Sequence, residues 1–202
     1  MEKCFDPDTH TYTIDGKIVP SVTDILFPVT GKGLSQVPPA TLQYKATLGT
    51  LVHEYCAEID YGCFDGECEP DVVGYLEGYQ AFLRDYKPKW EFIEHPIYSA
   101  NLGYAGTLDR AGILDGKFTV CDLKTYASMG RAQKIALCAQ ANGYGIALNE
   151  EYSVVPEQYI GVLLKPTGTY TVYYAQEIER KLQFNAFELF VNLLNLKKLV
   201  EG

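Results

Sequence analysis

Apolar and polar positions along the chain alternate in some stretches and recur at helical spacing in others, and together they predict an ordered set of strands and helices. Residues 10–20 predict a hairpin, because Asp15-Gly16 supplies the two positive-φ residues that a two-residue turn needs. Pro20-Ser21-Val22-Thr23 predicts a helix start with Ser21 as N-cap. Residues 28–38, rich in Gly and Pro, predict a loop. A helix is expected over 39–60, a loop over 61–69, and a second helix over 70–86 that closes before Lys87-Pro88. Residues 90–99 predict a strand.

The strongest short-range signal follows. Asp115-Gly116 separates the apolar runs Gly106–Leu114 and Lys117–Thr125, which predicts a hairpin with a fixed register. If Leu114 pairs with Lys117, then Ile113 faces Phe118, Ala111 faces Val120 and Asp109 faces Asp122. Lys124, two residues beyond Asp122, projects from the same face. Directly opposed carboxylates are costly: at roughly 5 Å and an effective dielectric near ~20 they repel by about 3 kcal/mol. Apolar neighbours (Ile113, Phe118, Val120) make charge harder still to hold. A shared proton relieves the pair. So does a divalent cation, and carboxylate oxygens suit magnesium or manganese. The competing arrangement is an ordinary salt bridge from Asp109 to Arg110 or Lys124.

A helix is expected over 131–148, two strands over 158–165 and 169–175 around Pro166-Thr167-Gly168, and one amphipathic helix over 177–200. Strands mixed with helices on both sides of the hairpin predict an α/β fold with a mixed central β-sheet flanked by α-helices. No repeat or low-complexity tract divides the 202 residues, so one domain over 1–202 is expected.

Composition narrows the chemistry. Apolar content of 47% and charged content of 21% are ordinary for a globular chain. No apolar run is long enough to span a bilayer, the first residues lack a signal-peptide layout, and a cytosolic location is the default expectation. Of six cysteines only Cys63 and Cys68 are close, with no second pair to complete a zinc or iron–sulfur site. Free thiols are expected. A net charge of −9 argues against a large sequence-independent nucleic-acid surface. It is compatible with a nuclease whose metal ions bring positive charge into an acidic site.

Four motifs in order carry a family resemblance: Gly49-x-x-x-His53, Gly106-x-x-Asp109, Asp122-x-Lys124-Thr125 and Gln140-x-x-x-Tyr144. Over residues 45–145 the pattern resembles the PD-(D/E)XK nuclease superfamily, and within it the RecB-like exonuclease branch. That branch includes phage and bacterial recombination nucleases, CRISPR-associated RecB-like nucleases and a mitochondrial genome-maintenance exonuclease. The resemblance implies a restriction-endonuclease-like core and metal-dependent hydrolysis of DNA phosphodiesters in recombination, repair or replication, in a bacterial cytosol or phage-infected cell.

It also implies roles. Asp109 and Asp122 would hold one or two magnesium or manganese ions, with the Leu123 carbonyl as a further ligand and His53 as another. Lys124 would orient the attacking water or stabilise charge on the phosphate. Gln140 would hold the DNA backbone or a water, and Tyr144 would fix the helix or contact the strand. Gln133 and Leu137 extend the stripe of Gln140 and Tyr144. Glu94, on the strand before the hairpin, occupies a position where related nucleases carry acids and would assist the metal site. Glu54 and Glu58 fit a solvated face or an indirect role, and Arg131 and Lys134 either meet phosphates or are simply solvated. His10 and His95 have no motif context.

The chain departs from the pattern in three ways. Leu108 stands where many members carry proline. The C-terminal cysteine triplet that holds an iron–sulfur cluster in some members is missing, so no such cluster is expected. No GxxxxGK[ST] phosphate loop occurs, so unwinding would fall to a helicase or recombinase partner. Two other activities are compatible with the same residues: a structure-specific endonuclease of this fold, and a catalytically idle DNA-binding protein. The oligomeric state is not encoded in these motifs.

Overall fold

A computed structural model describes residues 1–31 and 36–201. The molecule is α/β, with a mixed sheet flanked by helices. Strands β1 (Lys3–Asp6), β2 (Thr11–Ile14) and β3 (Lys17–Val19) form a small antiparallel sheet. Asp15 and Gly16 both have positive φ, 49° and 74°, as the hairpin requires. β1 goes beyond the expected hairpin: four residues are too few to display a period.

Helix α1 (Val22–Thr30) opens on a capping box in which Asp24 N–H donates to Ser21 Oγ and Ser21 N–H donates to Asp24 Oδ2, each at 3.0 Å. It buries Val22, Ile25 and Leu26, and that burial carries the helix through Pro28. The start of the expected 28–38 loop is therefore helical, and positions 32–35 lie outside the described residues. Helix α2 (Pro39–Tyr61) ends at Gly62 in the left-handed conformation, and α3 (Val73–Tyr86) follows.

Five strands build the main sheet in the order β4-β5-β6-β7-β8: Lys89–Ser99, Tyr104–Leu114, Lys117–Lys124, Gln158–Leu164 and Tyr170–Tyr174. β6 and β7 are parallel and every other pair is antiparallel. A parallel pair needs a crossover, which α4 (Arg131–Tyr152) provides. One sheet face packs Cys121, Leu123, Ile160 and Val162 against Val52 and Cys56 of α2 and Tyr79 and Phe82 of α3. The other packs Ala111 and Val120 against α1, α4 and the last helix.

The expected helix over 177–200 is two helices, α5 (Ala175–Leu182) and α6 (Ala186–Glu201). Gln183 turns left-handed with φ 56°, and the Asn185 side chain accepts from Glu188 N–H at 3.1 Å to start α6. No helix of the described residues is long and apolar enough to cross a membrane.

Candidate functional site

The Asp115-Gly116 turn sets the register as expected: Leu114 pairs with Lys117, Ile113 with Phe118, Ala111 with Val120 and Arg110 with Cys121. The paired ladder ends at Arg110–Cys121; Asp109 and Asp122 are the next residues beyond it, and Asp109 reaches β6 by accepting from Leu123 N–H. On the other side of β5, Ile93 pairs with Arg110 and His95 with Leu108, which brackets Glu94 opposite Asp109. Three acids on three adjacent strands thus share one transverse row. Glu94 has φ 43°, a left-handed conformation that a non-glycine residue adopts only when its surroundings hold it there.

His53, from the middle of α2, closes this row. Its Nδ1 lies 3.3 Å from Glu94 Oε1 and 3.6 Å from Asp109 Oδ1, and its Nε2 lies 3.2 Å from the Leu123 carbonyl. Burial works against charge on the imidazole, but the Asp109 carboxylate and the Glu94 hydrogen bond outweigh it and hold the pKa up at about 9. Burial pushes the Asp109 carboxyl above its usual range, against the pull of His53. It pushes Glu94 the same way, but contacts with His53 and Arg110 win and leave that carboxyl below its ordinary value. Asp109 makes no ion pair with Arg110 or Lys124 among the described residues; its Oδ2 accepts from Leu123 N–H at 2.6 Å.

Asp122 is the most enclosed acid, only 1% exposed, and burial raises its pKa to about 6 despite the opposing Lys124 charge. Lys124 Nζ lies 2.9 Å from Oδ1 and 2.8 Å from Oδ2. The ammonium therefore compensates both oxygens of the buried carboxylate. Lys124 also donates to Gln140 Oε1 at 3.2 Å, and Gln140 Nε2 donates to the Tyr144 hydroxyl at 3.2 Å. Tyr144 is buried, its ring so close over Gly106 that an added Cβ there would sit 2.9 Å from Cε1. This packing sets Tyr144 as a brace between α4 and β5.

His53, Glu94 and Asp109 each offer a ligand atom, and these atoms lie within 4.8 Å of one another. The donor set, one imidazole nitrogen and two carboxylate oxygens, could hold a divalent cation. Asp122, expected as a ligand, is not a member of this cluster: both its carboxylate oxygens lie within 3 Å of the Lys124 ammonium. Leu123 supplies its carbonyl to His53. Glu94, a peripheral residue in the motif reading, stands at the centre of the cluster.

No family model matches the chain, and no curated protein matches it. Among solved structures, one described as "Crystal structure of SSO0001" is similar at 16% identity, covering 88% of this chain and 85% of its own, with a TM-score of 0.39. A likeness at that level carries no argument about activity.

Other expected residues fall elsewhere. Glu54 is exposed, and Glu58 contributes its carbonyl to the α2 C-cap. Gln133 is exposed at the start of α4. His10 bonds the Tyr12 hydroxyl and His95 that of Tyr152, both outside the cluster. Gly49 does not serve a close approach: a Cβ there would meet Thr125 Oγ1 at an ordinary 3.6 Å.

The motifs do not reveal the buried support beneath the cluster. Arg110 is 0% exposed; Nη1 donates to Glu94 Oε1 at 2.8 Å and to the Asp109 carbonyl at 2.7 Å, and Nε donates to Asp60 Oδ2. Tyr79 donates to the same Asp60 oxygen at 2.7 Å. Asp60 lies seven residues after His53 on one face of α2, the spacing that marks it and that Glu58 lacks.

Metal addition tests the cluster directly. An ion at 100 times its Kd stabilises by about 2.7 kcal/mol, or about 5–10 °C in unfolding midpoint for a chain of this size. Manganese and magnesium are expected to give a shift of that order, and Asp109→Asn to erase it. A flat melting temperature through millimolar titrations of both ions would strip the cluster of its metal role.

Proposed function

We propose that this chain is a metal-dependent DNA exonuclease, a single PD-(D/E)XK domain of the RecB-like branch on a restriction-endonuclease-like core. The observation that carries this reading is the convergence of His53, Glu94 and Asp109 beside a buried Asp122–Lys124 pair at one row of the sheet. The mixed sheet, its β6–α4–β7 crossover and helices on both faces support the core assignment.

His53, Glu94 and Asp109 would hold a divalent cation, His53 releasing on binding the proton that the two carboxylates otherwise keep on it, with Asp122 beside them. When bound, a divalent cation there would supply charge neutralisation at a phosphodiester and would lower the pKa of water. Lys124, its side chain about 20% exposed, presents an ammonium tethered by Asp122 and Gln140. From there it orients a water or meets a phosphate oxygen. Gln140 fixes Lys124, and Tyr144 fixes Gln140. The substrate is single-stranded or end-bearing DNA, with strand separation supplied by a helicase or recombinase partner, in the cytosol of a bacterium or a phage-infected cell.

Digestion of end-labelled linear, single-stranded and covalently closed circular DNA, with magnesium or manganese, tests this reading. Expected is loss of the first two with the closed circle intact. Cleavage of the circle would assign an endonuclease. Linear and single-stranded DNA left whole across both titrations would refute hydrolysis.

A further inference from the structure

We propose that a groove between the start of α4 and the β8–α5 corner seats a single DNA strand across α4 from the metal cluster. The proposal rests on the nuclease reading and deepens it by naming where the strand lies. The groove has a volume of about 330 Å³; Arg131 and Lys134 of α4, Tyr173 and Tyr174 of β8, and Glu177 and Lys181 of α5 line it, and the rest of its lining is apolar (Val172, Ile178 and Leu182). Three cations therefore face one carboxylate, in a chain whose net charge is −9. None of the three is ion-paired among the described residues. Lys134 Nζ is held 5.0 Å from the centroid of the Tyr173 ring, and Arg131 and Lys181 are exposed.

Strand register ties this groove to the cluster. Asp122 pairs with Gly161, and Gly161 pairs with Tyr173. Tyr173 therefore lies on the same sheet face as Asp122, two strands away. Two inter-strand steps put it about 10 Å from Asp122, backbone to backbone. Leu137 of α4, buried over Gly161, fills the place between them, so the groove and Asp122 lie on opposite sides of α4.

The chemistry matches an unpaired strand. Lysine and arginine contact phosphates, and tyrosine rings give bases a sequence-tolerant stacking surface. Base faces are open only in a single strand, and the groove has the size of a small-ligand pocket, too small for a duplex.

The test is fluorescence anisotropy with a labelled oligothymidylate of about 12 nucleotides, within the span of single-strand channels, in EDTA and over a salt series. Arg131→Gln/Lys134→Gln/Lys181→Gln is expected to weaken binding at least ~10-fold and to make the log–log salt slope shallower by about 2, at ~0.7 per lost phosphate contact. Tyr173→Ala should weaken binding about fivefold or more with the slope unchanged. Lys117→Glu, on the distant hairpin, should change neither. Wild-type affinity and slope in the triple variant overturn the groove, as does failure of the wild-type protein to bind at low salt. Binding lost in the triple variant while the wild-type protein digests no DNA would retain the groove and sink the hydrolytic reading. Normal digestion with unaltered binding in the triple variant would do the reverse.

Discussion

Lys124→Ala is expected to lower phosphodiester cleavage by about 10²–10³-fold, the cost of removing one preorganised cation or donor from a developing charge. The metal-dependent rise in melting temperature should survive, because Lys124 is not a member of the His53–Glu94–Asp109 cluster. The fold should survive as well. Lys124 holds the Asp122 pKa down toward about 6 against burial, so its loss moves that pKa further up. Asp122 then takes a proton near neutral pH rather than remaining a bare buried charge. Lys124→Arg restores charge but not shape: a planar guanidinium cannot occupy the point between Asp122 and Gln140 that an ammonium fills. Partial recovery at best is expected. Cleavage by Lys124→Ala at the wild-type rate would take Lys124 out of the chemistry, and a lost metal shift would make it part of the metal seat.

The hairpin that brings Lys124 to this place is the most legible part of the chain. Asp115 and Gly116 dictate positive φ, the turn dictates register, and register puts Asp109 and Asp122 next beyond the paired ladder, with Lys124 on the same face as Asp122. Glu94 was harder to place because its position depends on an irregularity. The β4–β5 register shifts between Trp90 and Phe92. Without the extra residue Glu94 would face Leu108, and Ile93 would face Asp109. With it, two acids meet. Gly112 makes the bulge sterically feasible, since a Cβ there would lie 2.2 Å from the Lys89 carbonyl oxygen. No apolar period announces such a bulge. His53 likewise carries no helical signal of its own, because the contacts that distinguish it come from strands 41 and 56 residues away in sequence.

The break between α5 and α6 was written locally and is masked by the apolar pattern that runs through it. Asn185 followed by Glu188 is a helix-start signature, yet Ile178, Leu182, Ala186, Phe190 and Leu194 keep helical spacing across the break. Arg110 is opaque for a different reason. Charged residues are rarely wholly buried, and one sandwiched between Asp109 and Ala111 reads as a salt-bridge partner of its neighbour. Its real partners, Asp60 and Glu94, lie on other elements.

That position predicts a large loss of stability. Arg110→Met is expected to destabilise the protein by about 3–5 kcal/mol, because it strips the cation from a carboxylate that stays buried. The Asp60 side chain is only 4% exposed, and burial already raises its pKa against the opposing Arg110 charge, so the Tyr79 hydroxyl alone cannot compensate. Arg110→Met/Asp60→Asn should recover a large part of this. The amide keeps an acceptor for Tyr79 and leaves no unpaired charge. Glu94 gains nothing from the second change. Its left-handed backbone and its place in the cluster lose the Arg110 Nη1 contact in both variants. The double variant should therefore melt close to the wild-type protein yet show a smaller shift on adding manganese. Arg110 would then be a positioning residue for the cluster as well as a support of the fold. A full metal shift in the double variant would confine Arg110 to stability, and a wild-type melting temperature for Arg110→Met would show that the buried Asp60 carboxylate needs no counter-charge.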